Sequence, residues 1–235
     1  MFKFSARFLS LSKSQSLSLS LSLSMSMCLS LASVASLAVG LLSAPAALAQ
    51  GAAAPDEFVK GLTTRVIEKI NNDKDIQAGD MKRVSDLVDS TIMPNVNFER
   101  MTSLSVGRSW RQATPEQQKR LMTEFRVLLL RTYSGALTAA RDQTIRMKPL
   151  RADPKDTEVL VRSEIVPKRG DTIQLDYRLE KVGDAWKIYD VNVLGVWLIE
   201  TYRNQFAQEI SNKGIDGLIQ SLADKNKSFA TDKKS

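Results

Sequence analysis

The chain has 235 residues, 43% hydrophobic and 25% charged, with a formal net charge of +7; this is a globular balance whose basic excess is too modest to argue for nucleic acid. There is no histidine and a single cysteine, Cys28, which excludes Ser-His-Asp hydrolysis, Cys-His chemistry and histidine-ligated zinc. Without Lys3, Arg7 and Lys13 of the N-terminal segment, 30 basic residues face 26 acidic ones, a net +4 compatible with brushing against anionic lipid surfaces.

Residues 1–16 hold those three positive charges and no negative one, and residues 17–42 are rich in Leu, Ser, Ala and Val. Ala47-Leu48-Ala49 then supplies the small residues that a signal peptidase reads. This pattern predicts a secretory leader over residues 1–49, cut so that the chain starts at Gln50. The serines dilute the apolar run and no second one follows, which disfavours an uncleaved anchor. Met27 stands where a lipidated cysteine needs a small residue before it.

Beyond the leader, one domain is expected over residues 50–225, followed by a flexible polar tail over 226–235. Asp56 is the expected cap of a helix running to Asn72, with Phe58, Leu62, Val66, Ile67 and Ile70 on one face. Asp73 and Asp75 invite a calcium-loop reading, but Ala78 replaces the required glycine and Val84 the required glutamate, so no metal is predicted. A second helix is read over residues 80–92, with Met81, Val84, Leu87, Val88 and Ile92 inward and Met93-Pro94 ending it. A short helical piece over residues 98–110, interrupted at Gly107, leads into the longest helix, residues 114–141. There Thr114 and Gln117 form a capping box with Pro115 at the first helical position. Leu121, Phe125, Leu128, Leu129, Tyr133, Ala136, Leu137 and Ala140 follow at steps of three and four.

After Arg141 the period changes to two. Residues 144–150, 158–166, 172–181 and 186–194 read as four strands joined by short turns, hence antiparallel neighbours. In the third, Ile173, Leu175, Tyr177 and Leu179 alternate with polar residues, giving one dry face and one wet face. Helices over residues 196–212 and 215–225, with Gly214 between them, close the domain. The expected fold class is α+β: an antiparallel sheet of about four strands wrapped by amphipathic helices. A long helix lying in a curled sheet leaves either a packed core or a hollow.

The blocks NFERMTSLSVGRSWRQATPEQQKRLMTEFRVLLLRTYSGAL (97–137), LDYRLEKVGDAWKIYDVNVLGVWLIETYRNQF (175–206) and GIDGLIQSL (214–222) resemble the MlaC, or toluene-tolerance, family in order and spacing. The resemblance implies a fold like the nuclear-transport-factor and cystatin-like domains, with an internal apolar cavity. It also implies a periplasmic carrier that ferries phospholipid between an outer-membrane lipoprotein–porin complex and an inner-membrane ABC transporter, maintaining outer-membrane lipid asymmetry. The contact with those membrane complexes would be transient and the carrier a monomer. Family members often have a small residue where this chain has Trp197, so an indole there is expected to reshape the cavity. The residues expected to meet lipid are Val106, Trp110, Phe125, Leu128, Leu129, Tyr133, Leu137, Val161, Ile173, Leu175, Tyr177, Val191, Val193, Trp197, Tyr202 and Phe206. Arg108, Arg111, Arg131 and Arg203 are the cations considered for a phosphate at the rim. The alternative function is an isomerase or hydrolase on the same fold, pairing Asp176 or Asp190 with Tyr177 or Tyr189. It would require a buried carboxylate of raised pKa. No cofactor is implied, and there is no GxxxxGK[ST] loop for a nucleotide.

Overall fold

The computed structural model describes residues 53–168 and 170–231; the predicted leader lies outside them. Helix α1, Pro55–Asn72, starts one residue before the expected cap: Pro55, with φ pre-set for a helix, takes the first position, and Asp56 sits in the first turn. Asp73 then caps the one-turn helix α2, Lys74–Gln77, accepting from the N–H groups of Asp75 and Ile76 at 3.0 Å each. Those bonds, with Arg83 beside it, hold the Asp73 carboxyl below the usual carboxylate range.

The predicted second helix divides. Helix α3 spans Met81–Leu87, a π-helical turn follows over Val88–Ile92, and a 3-10 turn over Met93–Asn95. Helix α4, Phe98–Val106, passes through Gly107 into a 3-10 stretch ending at Gln112. Helix α5 covers Pro115–Thr138, and both halves of its capping box form: Gln117 N–H donates to Thr114 Oγ1 at 3.2 Å and Thr114 N–H to Gln117 Oε1 at 3.0 Å.

The sheet is a five-stranded antiparallel meander in chain order: β1 Thr144–Met147, β2 Glu158–Val166, β3 Ile173–Val182, β4 Ala185–Val193 and β5 Val196–Trp197. β1 stops short of the predicted Leu150 because Pro149 has no N–H to add to the ladder. The fifth strand replaces what the sequence pattern assigns to the start of a helix. Leu194 (φ 53°) and Gly195 (φ 89°) make a two-residue turn with both φ positive, the type I′ geometry, and so bring Val196 opposite Val193. The segment α6, Leu198–Thr231, then runs as two helices that meet at Gly214, whose φ 70° and ψ −176° are not helical, as the sequence leads one to expect. It reaches into the segment expected to be a flexible tail, as far as Thr231, with Asn226 buried and its Nδ2 donating to the Glu124 carbonyl at 3.0 Å and carboxylate at 2.8 Å.

Two apolar clusters form the interior. The first joins α1 and α3 to the inner face of β2–β4 through Leu62, Val66, Ile70, Val84, Val161, Leu179 and Trp186. The second joins α4, α5 and α6 through Met101, Leu121, Phe125, Leu128, Tyr202, Phe206 and Ile219. Arg100 ties α4 to the sheet, pairing with Glu158 at 2.7 Å and with Glu180, and its guanidinium lies 3.9 Å from the centre of the Tyr189 ring.

The outer face of the sheet is not simply wet. Asp176, Asp190 and Asn192 are buried there, because β5 and the first turn of α6 fold back over it. Asp190 accepts from Val191 N–H at 2.9 Å, Ile199 N–H at 3.1 Å and Arg178 at 2.9 Å, joining strand to helix. Burial nevertheless pushes its carboxyl above the usual range, with those three donors opposing the shift. Asp176 Oδ2 accepts from Gln174 at 2.8 Å.

Candidate functional site

Between the two clusters lies an apolar pocket of about 530 Å³, within the roughly 300–1,000 Å³ range of ligand cavities. Its floor is the inner face of β3 and β4, where Ile173, Leu175, Tyr177, Ile188, Val191 and Val193 share one side of the pleat. α5 forms the facing wall with Leu129, Leu130, Tyr133 and Leu137, while Leu62, Val66 and Ile67 of α1 close one flank. The turns after α3 contribute Val88, Ile92, Met93 and Val96. The space persists because the second half of α5 offers the short side chains of Ser134 and Ala136, and the turn after it that of Ala140, along this wall. Leu194, held in the left-handed region at the hairpin tip and 65% exposed, marks one mouth.

Polar groups in the pocket are few and largely satisfied. Burial pushes the Tyr177 hydroxyl up to about 12, opposed by hydrogen bonds to Thr63 and Ser163, so it stays a neutral phenol on the floor. Behind the α5 wall, Tyr202 is likewise raised to about 12 by burial, with the neighbouring Tyr133 adding to the shift. Among the described residues Arg126 is the one charged side chain in the lining.

The structure brings eight of the sixteen expected lipid-contacting residues together around this pocket: Leu129, Tyr133, Leu137, Ile173, Leu175, Tyr177, Val191 and Val193. The other eight lie elsewhere. Val106, Phe125, Leu128, Tyr202 and Phe206 are buried in the second cluster, with Trp110 packed on its edge. Val161 is buried in the first cluster, opposite Tyr177 on the neighbouring strand. Trp197 is on the far face of the sheet, its ring 3.8 Å beneath the Arg178 guanidinium, so it does not shape the pocket. The α1 and post-α3 contributions escape the sequence reading because their stripes are indistinguishable from ordinary core. Arg126 escapes it because a charge beside Phe125 reads as the solvated back of the helix, although the spacing 126, 129, 130, 133, 137 signals one face. Of the four cations considered for a rim, none lines the pocket, and Arg203 donates instead to the Leu104 carbonyl at 2.9 Å. Asp176 and Asp190 also lie outside the lining.

A half-open apolar hollow between a helix-covered sheet and a long helix defines a binding protein for an apolar or amphipathic ligand. Residues 60–224 match the family model described as MlaC protein, and the chain belongs to the MlaC family. It is 28% identical over 177 residues to the toluene tolerance protein ttg2D of Pseudomonas putida, covering 75% of this chain and 82% of that protein. It is 26% identical over 157 residues to the intermembrane phospholipid transport system binding protein MlaC of Haemophilus influenzae, covering 63% of this chain and 73% of that one. A solved phospholipid-binding protein from Ralstonia solanacearum, in complex with a phospholipid, superposes with a TM-score of 0.72 and 45% identity, covering 74% of this chain and 98% of its own.

Proposed function

We propose that the protein is a periplasmic phospholipid carrier that holds acyl chains in the pocket between α5 and the sheet. The observation that carries this reading is an apolar pocket, with a single charged wall residue among those described, in a chain whose relatives include a phospholipid transport protein and a phospholipid-bound structure. Residues 1–49 act as the export leader in this reading. The released carrier works as a monomer between an outer-membrane lipoprotein–porin complex and an inner-membrane ABC transporter, sustaining outer-membrane lipid asymmetry.

The energetics suit a shuttle. Burying a methylene contributes about 0.8 kcal/mol, so two long acyl chains gain on the order of 20–25 kcal/mol relative to water. A bilayer offers the same lipid a similar amount. Loading and unloading are therefore nearly balanced, and differences at each docking partner set the direction. Catalysis by an Asp–Tyr pair finds no support in the geometry: Tyr177 lines the pocket, while Asp176 and Asp190 face the other side of the sheet.

The test is transfer of a labelled phospholipid between donor and acceptor vesicles. The exported protein is expected to accelerate it in proportion to its concentration, without nucleotide and with the lipid chemically intact. No acceleration would count against the carrier, and release of lysolipid or fatty acid would count for the hydrolase.

A further inference from the structure

The single charge that the described residues place on the pocket wall is only partly engaged. Arg126 projects from α5 beside Leu129 and Leu130 and uses only its Nη2, which donates to Ser85 Oγ at 3.2 Å and to Asp89 Oδ1. Asp89 Oδ2 accepts from the same Ser85 hydroxyl at 3.4 Å. Among the described residues Nε and Nη1 have no hydrogen-bond partner, so most of the guanidinium fork stays open. The pair spans the boundary of the pocket: the Arg126 side chain is 25% exposed and that of Asp89 53%. Asp89 belongs to the π-helical turn whose Val88 and Ile92 line the pocket, and such turns recur at functional sites.

An amphiphile whose chains fill an apolar hollow keeps its charged end at the boundary of the pocket, within reach of water, and Arg126 stands at that boundary as the charged group among the described lining residues. We infer that Arg126 and Asp89 form the head-group site of the pocket, the open edge of Arg126 taking a phosphodiester oxygen and Asp89 the ammonium of a zwitterionic head. This rests on the phospholipid-carrier reading and deepens it. Guanidinium suits phosphate because its planar N–H groups make charge-assisted, directional hydrogen bonds. A fixed Arg⁺–Asp⁻ pair is electrically matched by a zwitterion of the phosphoethanolamine type. A net-anionic head satisfies Arg126 but leaves its excess charge facing Asp89. Ser85 keeps the two side chains in register.

The experiment strips the exported protein of lipid and offers vesicles of equal parts phosphatidylethanolamine, phosphatidylglycerol and phosphate-free diacylglycerol with the same chains. Mass spectrometry then counts what is taken up. Wild type is expected to prefer phospholipid to diacylglycerol, and Arg126→Gln to lower that preference about tenfold, the size of one charge-assisted hydrogen bond. Asp89→Asn should keep the preference for phospholipid but shift its composition severalfold toward phosphatidylglycerol. Arg131→Gln, a cation outside the lining, should change neither. Should Arg126→Gln not fold, Arg126→Lys keeps a partner for Asp89 while losing the fork, and it must move the preference the same way. Variants at Arg126 and Asp89 that recover the three lipids in wild-type proportions would overturn the head-group site. Wild-type protein that takes up no lipid would instead bring down the carrier reading itself.

Discussion

Leu129→Asp is expected to yield a folded protein that carries no lipid. Leu129 lies mid-way along α5, half-buried and lining the pocket, so a carboxylate there stands in the path of the acyl chains. Water can still reach it when the pocket is empty, so the folded state tolerates the charge. Once acyl chain fills the pocket that water is gone, and a desolvation cost of only about 3 kcal/mol already lowers affinity roughly a hundredfold. Leu129→Ala sharpens the comparison. Truncating a packed leucine costs about 2–5 kcal/mol because the cavity stays partly empty, but mobile acyl chain can occupy this one. The cost should be small with lipid bound, and the recovered chain lengths should shift. Leu128→Ala, one residue away in the packed second cluster, should pay the full cost whether or not lipid is present. Thermal unfolding with and without lipid, alongside lipid content, separates the two positions. Equal and strong destabilisation of Leu129→Ala in both states, with unchanged lipid, would make Leu129 ordinary core and displace the pocket.

Phe125→Ala should have the opposite signature, a large loss of stability with little change in what is bound. Phe125 is 1% exposed and is the hub of an aromatic cluster. Its ring lies 4.9 Å from Tyr202 and 5.2 Å from Phe206, both edge-on, and 5.8 Å from Phe98. Phe→Ala in a core costs about 3–5 kcal/mol, and the edge-on pairs add to the burial term. For a domain of this size that is a fall in Tm of about 6–20 °C. Chemical denaturation of the lipid-free variant measures the loss directly. A shift below about 1 kcal/mol, against the range for buried aromatics, would show that the second cluster is loosely packed and does not hold α5 in place.

These two residues also show what could be read from the sequence. Both sit on the same stripe of α5, four apart, and periodicity alone cannot separate them. What separates them is α6, which reaches Phe125 through Tyr202 and Phe206 but leaves Leu129 partly facing the sheet across empty space. Such a contact, some eighty residues away in the chain, leaves no local mark. The long helix with its capping box and the alternation of Ile173, Leu175 and Tyr177 were legible because one local rule decides each. The β4–β5 hairpin was not, because Leu194-Gly195 lacks the Asn-Gly or Asp-Gly that normally announces a type I′ turn. The position of Trp197 follows from the same turn: once Val196 and Trp197 pair as a strand, Trp197 lies opposite Asn192, on the outer face of the sheet.

Native mass spectrometry of the exported protein before and after organic extraction asks most directly whether this pocket holds intact phospholipid. The expected result is a complex heavier than the bare chain by the mass of intact phospholipid, which extraction removes, leaving a chain that begins at Gln50. A stable protein recovered empty, or one bound only to lysolipid or free fatty acid, would contradict it.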